Sequence, residues 1–215
     1  MRVKSEAKRQ AILAAATEAF RELGVEATSM SEIAARLGGS KTTLYSYFAS
    51  KEELVLEILL ATGEKHGSAA FDALASCNDV RNGLETFGVE HLRFLTDPDT
   101  IAILRLAIAE GGRSDLGRKF HERAFEIFDR KLAAYLRTLI DKGELQNADA
   151  QVMAFHLRGL YEAEILYPLL LGATEAGSVD ELQGMAQRAV DAFFRVYGLP
   201  EDGAGSEVRI KARRR

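Results

Sequence analysis

Three times in this sequence a serine stands three residues ahead of a glutamate at the head of an apolar stripe: Ser29 and Glu32, Ser50 and Glu53, Ser178 and Glu181. In that arrangement the hydroxyl and the carboxylate each satisfy an orphan backbone N–H, so every such pair marks a helix start by a physical mechanism. No segment sustains the period-two alternation of a half-buried strand. The chain is therefore read as a succession of capped helices.

The punctuation between the pairs is of the same kind. Ile12, Ala15, Ala16, Ala19, Phe20 and Leu23 share a helical face that Gly24 closes. Ile33, Ala34 and Leu37 form a short stripe broken by Gly38-Gly39, and Ser40 opens another short helix with Leu44 and Phe48 inward. Leu54, Val55, Ile58 and Leu59 begin a long helix that fades near Ser76-Cys77-Asn78-Asp79. The segment Leu84 to Leu95 stops at Asp97-Pro98, where Asp97 suits a cap and Pro98 the first helical position, at which a missing N–H is harmless. Ile101 to Ala109 closes at Gly111-Gly112. Residues 114–142 read as one amphipathic helix bearing Phe120, Phe125, Phe128, Leu132, Tyr135, Leu136 and Leu139. Pro168 is expected to kink or shorten the apolar helix that starts at Asp149. The fold expected is all-α, with about nine helices.

Bulk properties narrow the function. A chain of 215 residues, 47% hydrophobic and 28% charged, can bury one large core or two small ones and is not disordered throughout. No apolar run reaches the roughly 18–20 residues of a membrane span. Met1 to Glu6 lack the apolar stretch of a secretory signal, and the lone Cys77 suits a reducing compartment, so a cytoplasmic location is expected. The net charge of −4 conceals an asymmetry: residues 1–51 hold eight Lys/Arg against five Glu, and the rest holds 20 basic against 27 acidic residues. A basic head on an acidic body suits a DNA-reading module joined to a domain that does not read DNA.

The stretch from Ser29 to Lys51 carries that reading. Two short helices joined by a Gly-containing turn are the unit that lays its second helix in the major groove. With Leu44 and Phe48 inward, Lys41, Thr42, Thr43, Tyr45, Ser46 and Tyr47 are left outside: one cation, five hydroxyls and no carboxylate. Such a face suits phosphate oxygens and base edges. The starts at Ser29, Ser40 and Ser50 could each aim N–H groups at a phosphate. Lys51 stands in the first turn of its helix, the end that disfavours cations, and a nearby phosphate would explain it.

Phe20-Arg21-Glu22-Leu23-Gly24, Thr28 to Ala34 and Ser40 to Leu54 together resemble the DNA-binding domain of the tetracycline-repressor (TetR/AcrR) family. The resemblance implies a homodimer with a ligand pocket in its C-terminal domain. It also implies DNA contacts from Lys41, Thr42, Thr43, Tyr45, Ser46 and Tyr47, with Ser29 and Lys51 on phosphates. Gly39 stands where the family usually has an apolar residue, which predicts a looser turn. Thr42 replaces a small Gly, Ala or Pro, which predicts a changed base preference. Asp97 to Thr100 and Arg105 to Glu110 resemble the AefR-like subgroup's C-terminal domain.

The expected division is a head at 5–51 with its helix-turn-helix core at 29–48, a sensing and dimerisation domain at 52–199, and a disordered basic tail at 200–215. Ligand candidates are Phe87, His91, Phe94, Leu106, Phe128, Tyr161, Glu162 and Glu164. Most aromatics at helical spacing are plain core. Glu162 and Glu164 interrupt an apolar run, so one of them is expected inward, where it would favour a cationic or hydrogen-bonding ligand; alternatively Arg158 pairs with Glu162 at the surface. Phe155, Leu160, Met185, Ala189 and Phe193 are either core or a dimer seam, and the resemblance favours the seam. The histidines at 66, 91, 121 and 156 have no metal-ligand spacing. No nucleophile–base pair or phosphate-cradling loop appears, so neither an enzyme nor a cofactor is expected. The partners expected are double-stranded operator DNA, a second copy of the chain and an unidentified small-molecule effector, with a repressor released from its operator as the function.

Overall fold

The computed structural model describes residues 5–25, 27–112 and 115–200. Its helices begin where the caps stand. Ser5, Ser29, Ser40 and Ser50 accept from the backbone N–H three residues on, opening α1 (Glu6–Leu23), α2 (Met30–Arg36), α3 (Lys41–Tyr47) and α4 (Lys51–Ser76). Of the three expected capping boxes, Ser178 and Glu181 close theirs reciprocally. The other two are half-made: Glu32 turns to Arg36 at 3.1 Å, and Glu53 accepts from the Ala49 N–H at 2.7 Å, one residue short of the cap.

The head is built on α1–α3 and the first turns of α4. Ile12, Leu13, Ala16, Ala19 and Phe20 are buried along with Met30, Ile33 and Ala34 of α2, Leu44 and Phe48, and Leu54 of α4, as α1 packs on α2 and α4 and α2 packs on α3. Leu23, expected on the same face, is 46% exposed in the last turn of α1. The turn between α2 and α3 is tighter than Gly39 suggested. Gly38, at φ +60°, and Gly39 donate to the carbonyls of Ala35 at 3.0 Å and Ala34 at 3.1 Å, the full hydrogen-bond set of a Schellman turn. What Gly39 omits is the apolar contact that usually accompanies that turn.

Beyond the head, α5 (Val80–Thr96), α6 (Pro98–Glu110), α7 (Leu116–Phe120), α8 (Glu126–Asp141), α9 (Ala150–Glu162), α10 (Leu166–Leu170) and α11 (Val179–Tyr197) build the larger body. The α7–α8 rod is continuous but passes through a π-helical segment, His121–Phe125, where the Glu126 N–H donates to the His121 carbonyl. The reason is legible in the side chains. Phe120 and Phe125 are five apart, which an α-helix would splay and an i→i+5 turn brings to one side. The helix from Asp149 ends at Glu162, and α10 resumes after a short turn. Pro168 has no N–H for the Glu164 carbonyl and its ring crowds that group, so the ladder breaks there as expected. With α7–α8 and α9–α10 each counted as one rod, the described residues form nine.

Packing of α5 on α9 depends on Gly88. A Cβ there would stand 2.9 Å from Tyr161 Cδ1, and only without it can the buried Tyr161 hydroxyl donate to the Leu84 carbonyl at 2.8 Å. Burial holds the Tyr161 phenol well above its usual pKa, so it remains a donor. The expectation for the basic tail falls on residues 201–215, outside the described ones, although Pro200 is described. No helix among the described residues is long and apolar enough to cross a membrane.

Candidate nucleic-acid interface and sensor cavity

Helix α3 offers solvent a polar face. Lys41, Thr42, Thr43, Tyr45 and Ser46 are exposed, with Tyr45 half exposed, while Leu44 and Phe48 are almost fully buried beneath them. Local bonds orient part of that face: Ser40 and Thr43 hydroxyls lie 3.0 Å apart, and Ser46 donates to the Thr43 carbonyl at 2.6 Å. Tyr47 is different. It is half-buried, and its hydroxyl accepts from the Ser5 N–H at 3.0 Å, clamping the start of α1. Ser29 is exposed and caps α2 through the Glu32 N–H at 3.2 Å. Lys51 donates to the Val25 carbonyl at 2.9 Å, so its placement has an intramolecular explanation that needs no phosphate.

The body holds a cavity of about 290 Å³. Its wall is aromatic: Phe71, Phe87, Phe94, Phe120, Phe125 and Phe128 all reach it, beside Leu59, Leu60 and Leu104. Phe71, Phe87 and Phe128 form a triangle with centroids 4.8–5.9 Å apart. Set in this wall, His91 stacks on Phe128 at 4.8 Å and Arg158 lies 5.2 Å over Phe125. Both are aimed from behind by buried carboxylates. His91 Nε2 is 3.2 Å from Glu162, and Arg158 donates to Asp129 at 2.7 and 3.3 Å and to Glu162 at 3.3 Å. Burial opposes the Arg158 charge, but Asp129 and Glu162 outweigh it and hold its pKa above the ordinary value.

Of the eight ligand candidates, Phe87, His91, Phe94 and Phe128 are brought together on this wall. The other four are not. Leu106 lines a separate small void with Val55, Leu56 and Ile103, because α6 turns that side toward α4. Tyr161 is one layer back, bonded to Leu84. Glu162 is the inward carboxylate of the pair, but Arg158 and His91 already engage it, so it does not favour a cationic ligand. Glu164 lies in the turn before Pro168 and forms an exposed fork with Arg188 at 2.6 and 2.8 Å, which lowers its pKa. Sequence reasoning missed Phe71 and Arg123; Arg123 sits in the π-helical segment that the Phe120–Phe125 spacing could have revealed.

Residues 12–58 match the family model for bacterial regulatory proteins of the tetR family, and residues 82–199 that for the AefR-like transcriptional repressor C-terminal domain. The chain belongs to the TetR family of DNA-binding transcriptional regulators. It is 31% identical to the uncharacterised helix-turn-helix-type regulator YfiR of Bacillus subtilis (strain 168) over 65% of this chain and 69% of that one. A solved TetR-family chain from Mesorhizobium loti MAFF303099 superposes with a TM-score of 0.79 at 30% identity, over 91% of this chain and all of that one. The flavonoid-responsive regulator FrrA superposes at 0.65 and 26% identity, over 90% and 98%.

The seam candidates of this TetR-family chain divide in two. Phe155 is 47% exposed on α9, on the same stripe as the exposed Val152 and Gly159, and Leu160 and Met185 are half-buried. Ala189 and Phe193 are instead internal core, 3% and 0% exposed. They share the inward stripe of α11 with Leu182, Ala186 and Val190, packed toward α5 and α9. Met185, Ala192 and the exposed Val196 flank that stripe, and the outward side of α11 is polar, with Gln183, Gln187, Arg188, Asp191 and Arg195 exposed.

Proposed function

We propose that the chain is a dimeric repressor whose cavity takes a small-molecule effector and whose hold on operator DNA weakens when the cavity fills. The observation that carries this reading is the course of α4. It packs on α1 of the head, and further along it gives Leu59, Leu60, Gly63 and Phe71 to the cavity wall. One rigid element thus touches both sites. In this division residues 5–51 read DNA, 52–199 sense and dimerise, and α4 belongs to both. The AefR-like description as a repressor and the flavonoid response in FrrA's name support the same reading. A cavity of this size argues against a packed scaffold that answers only to a protein partner.

Lys41, Thr42, Thr43, Tyr45 and Ser46 then contact DNA, with Tyr47 at the edge. Ser29 and Lys51 serve phosphates. Two-fold binding sets two α3 helices about one DNA turn apart, roughly 34–36 Å, so a small change in their separation weakens binding steeply. Operator and effector must weaken each other reciprocally. A regulator working on operator DNA belongs in the cytoplasm.

The test is binding to DNA from upstream of its own gene, by gel shift and fluorescence anisotropy across a salt series. Saturable binding to a palindromic site is expected. Tyr45→Ala should weaken it about tenfold or more, and Lys41→Ala should reduce the salt slope by about one. Equal, sequence-indifferent binding by wild type and both variants on genome-selected DNA would sink the reading. Dimerisation is checked separately. Phe155→Arg places a charge on the exposed α9 stripe and should give a monomer in sedimentation that has lost operator binding; a dimer unchanged by it would move the seam elsewhere.

A further inference from the structure

Between the head and the cavity, one carboxylate serves two guanidinium groups. Glu57 of α4 accepts from Arg9 of α1 and from Arg123 of the π-helical segment. Arg9 also reaches Glu6 at 3.8 Å, so what distinguishes Arg123 is that the carboxylate it pairs with is shared with a second arginine. The glutamate is well buried, at 13% side-chain exposure, while Arg123 is 46% exposed and forms part of the cavity wall. On the other side, the Arg9 guanidinium lies 5.6 Å from the ring centre of Phe48, the residue that ends α3. A continuous series of contacts therefore runs from the cavity through Arg123, Glu57 and Arg9 to the base of the recognition helix.

The other charges on the wall are differently placed. Arg158 is matched by Asp129 and Glu162, and Glu90 accepts from Arg93 at 2.7 Å. Lys131 has no carboxylate within salt-bridge distance among the described residues, but it is exposed, lies 5.9 Å over Phe71 and carries a point charge rather than a paired fork of donors, and Glu64 is exposed. Among the described residues, Arg123 is the wall cation that shares its one carboxylate with a second arginine. An aromatic wall offers contact to an apolar body, and a half-exposed guanidinium whose carboxylate is shared offers paired N–H donors to an acidic group.

We propose, building on the sensor reading above, that the cavity takes an amphipathic monoanion whose acidic headgroup pairs with Arg123 in competition with Glu57, and that this competition couples occupancy to the DNA-binding head. When the headgroup takes Arg123, Glu57 retains Arg9 alone and the π-helical segment is released from α1 and α4. An uncharged ligand of the same shape fills the cavity and leaves the bridge closed.

The probes are 1-anilinonaphthalene-8-sulfonate and N-phenyl-1-naphthylamine, which share an aromatic body and differ in the sulfonate. Fluorescence titration of the full chain should give about tenfold tighter binding of the sulfonate. Arg123→Gln should erase that preference while leaving the amine unchanged, and Arg123→Lys should retain part of it. Glu57→Gln, which removes the competitor, should tighten sulfonate binding further. The sulfonate should also release operator DNA from wild type, whereas Glu57→Gln, which lacks the bridging carboxylate, should bind operator more weakly from the start and change little when the sulfonate is added. Equal affinities in wild type, or a sulfonate preference that survives Arg123→Gln, would overturn the proposal while leaving the cavity occupied. Equal release from Glu57→Gln would overturn the coupling. Gly67→Phe separates these failures from a failure of the sensor reading. Gly67 lines the cavity, a Cβ there meets nothing within 4 Å, and the added ring fills that space. If both probes bind this variant as they bind wild type, the sensor reading fails and the proposal falls with it.

Discussion

Replacing Arg158 with methionine is expected to destabilise the protein by about 3–5 kcal/mol, the range found when one partner of a buried ion cluster is removed. In a chain of this length that corresponds to a fall in Tm of roughly 6–20 °C. The cause is what remains. Asp129 and Glu162 are 3% and 8% exposed, and both lean on the same guanidinium. Without it Glu162 keeps His91, but Asp129 is left as a buried carboxylate with no cation among its hydrogen-bond partners. The matching control removes the charges together. A triple variant, Arg158→Met with Asp129→Leu and Glu162→Met, should recover most of the loss, because buried ion clusters contribute little net stability relative to apolar residues of similar volume. Thermal and urea unfolding followed by circular dichroism would measure both. A single variant within about 2 °C of wild type would show that solvent reaches Asp129 and that the cluster is not sealed.

That cluster also shows where sequence reading stops. The helix starts were legible because their signals are local: a serine hydroxyl and an N–H three residues on need no knowledge of the rest of the chain. The inward pair Leu44 and Phe48 followed from helical spacing for the same reason. The break before Pro168 was legible because a missing donor and a ring clash act on the residue four back. The partners of Arg158 were only half legible. Glu162 is one turn away on the same helix, where spacing alone makes it a candidate partner, whereas Asp129 lies on α8 and meets Arg158 only because α8 packs on α9. Glu162 and Glu164 looked equivalent in sequence. The turn at Ala163 gives them opposite fates, one buried against Arg158 and His91 and the other paired with Arg188 at the surface. Ala189 and Phe193 show the complementary limit: amphipathic spacing identifies an apolar stripe without saying whether the chain's own helices or a second copy covers it. Here α5 and α9 cover it.

Phe48→Ala is expected to remove operator binding by a route different from that of Tyr45→Ala, and the difference tests how the head works. Phe48 ends α3 at 2% exposure, beneath the Arg9 guanidinium that Glu57 holds. Truncating a buried phenylalanine typically removes about 3–5 kcal/mol. The head core is small, drawn from α1–α3 and the first turns of α4, so a loss of this size unfolds it while the larger body persists. A low-temperature transition should therefore separate from the main one in circular dichroism, and operator binding should vanish with it. Phe48→Leu, which preserves most of the volume, should lower stability by under about 1.5 kcal/mol and keep the binding. Tyr45, half exposed and facing outward, should lose binding on truncation with no change in Tm. If Phe48→Ala instead melts in a single transition with the whole chain, then head and body unfold as one unit and the Arg9–Glu57–Arg123 bridge is stronger than the core it spans. If it keeps wild-type operator affinity, α3 does not depend on the residue beneath it for its orientation, and another element must set the recognition surface.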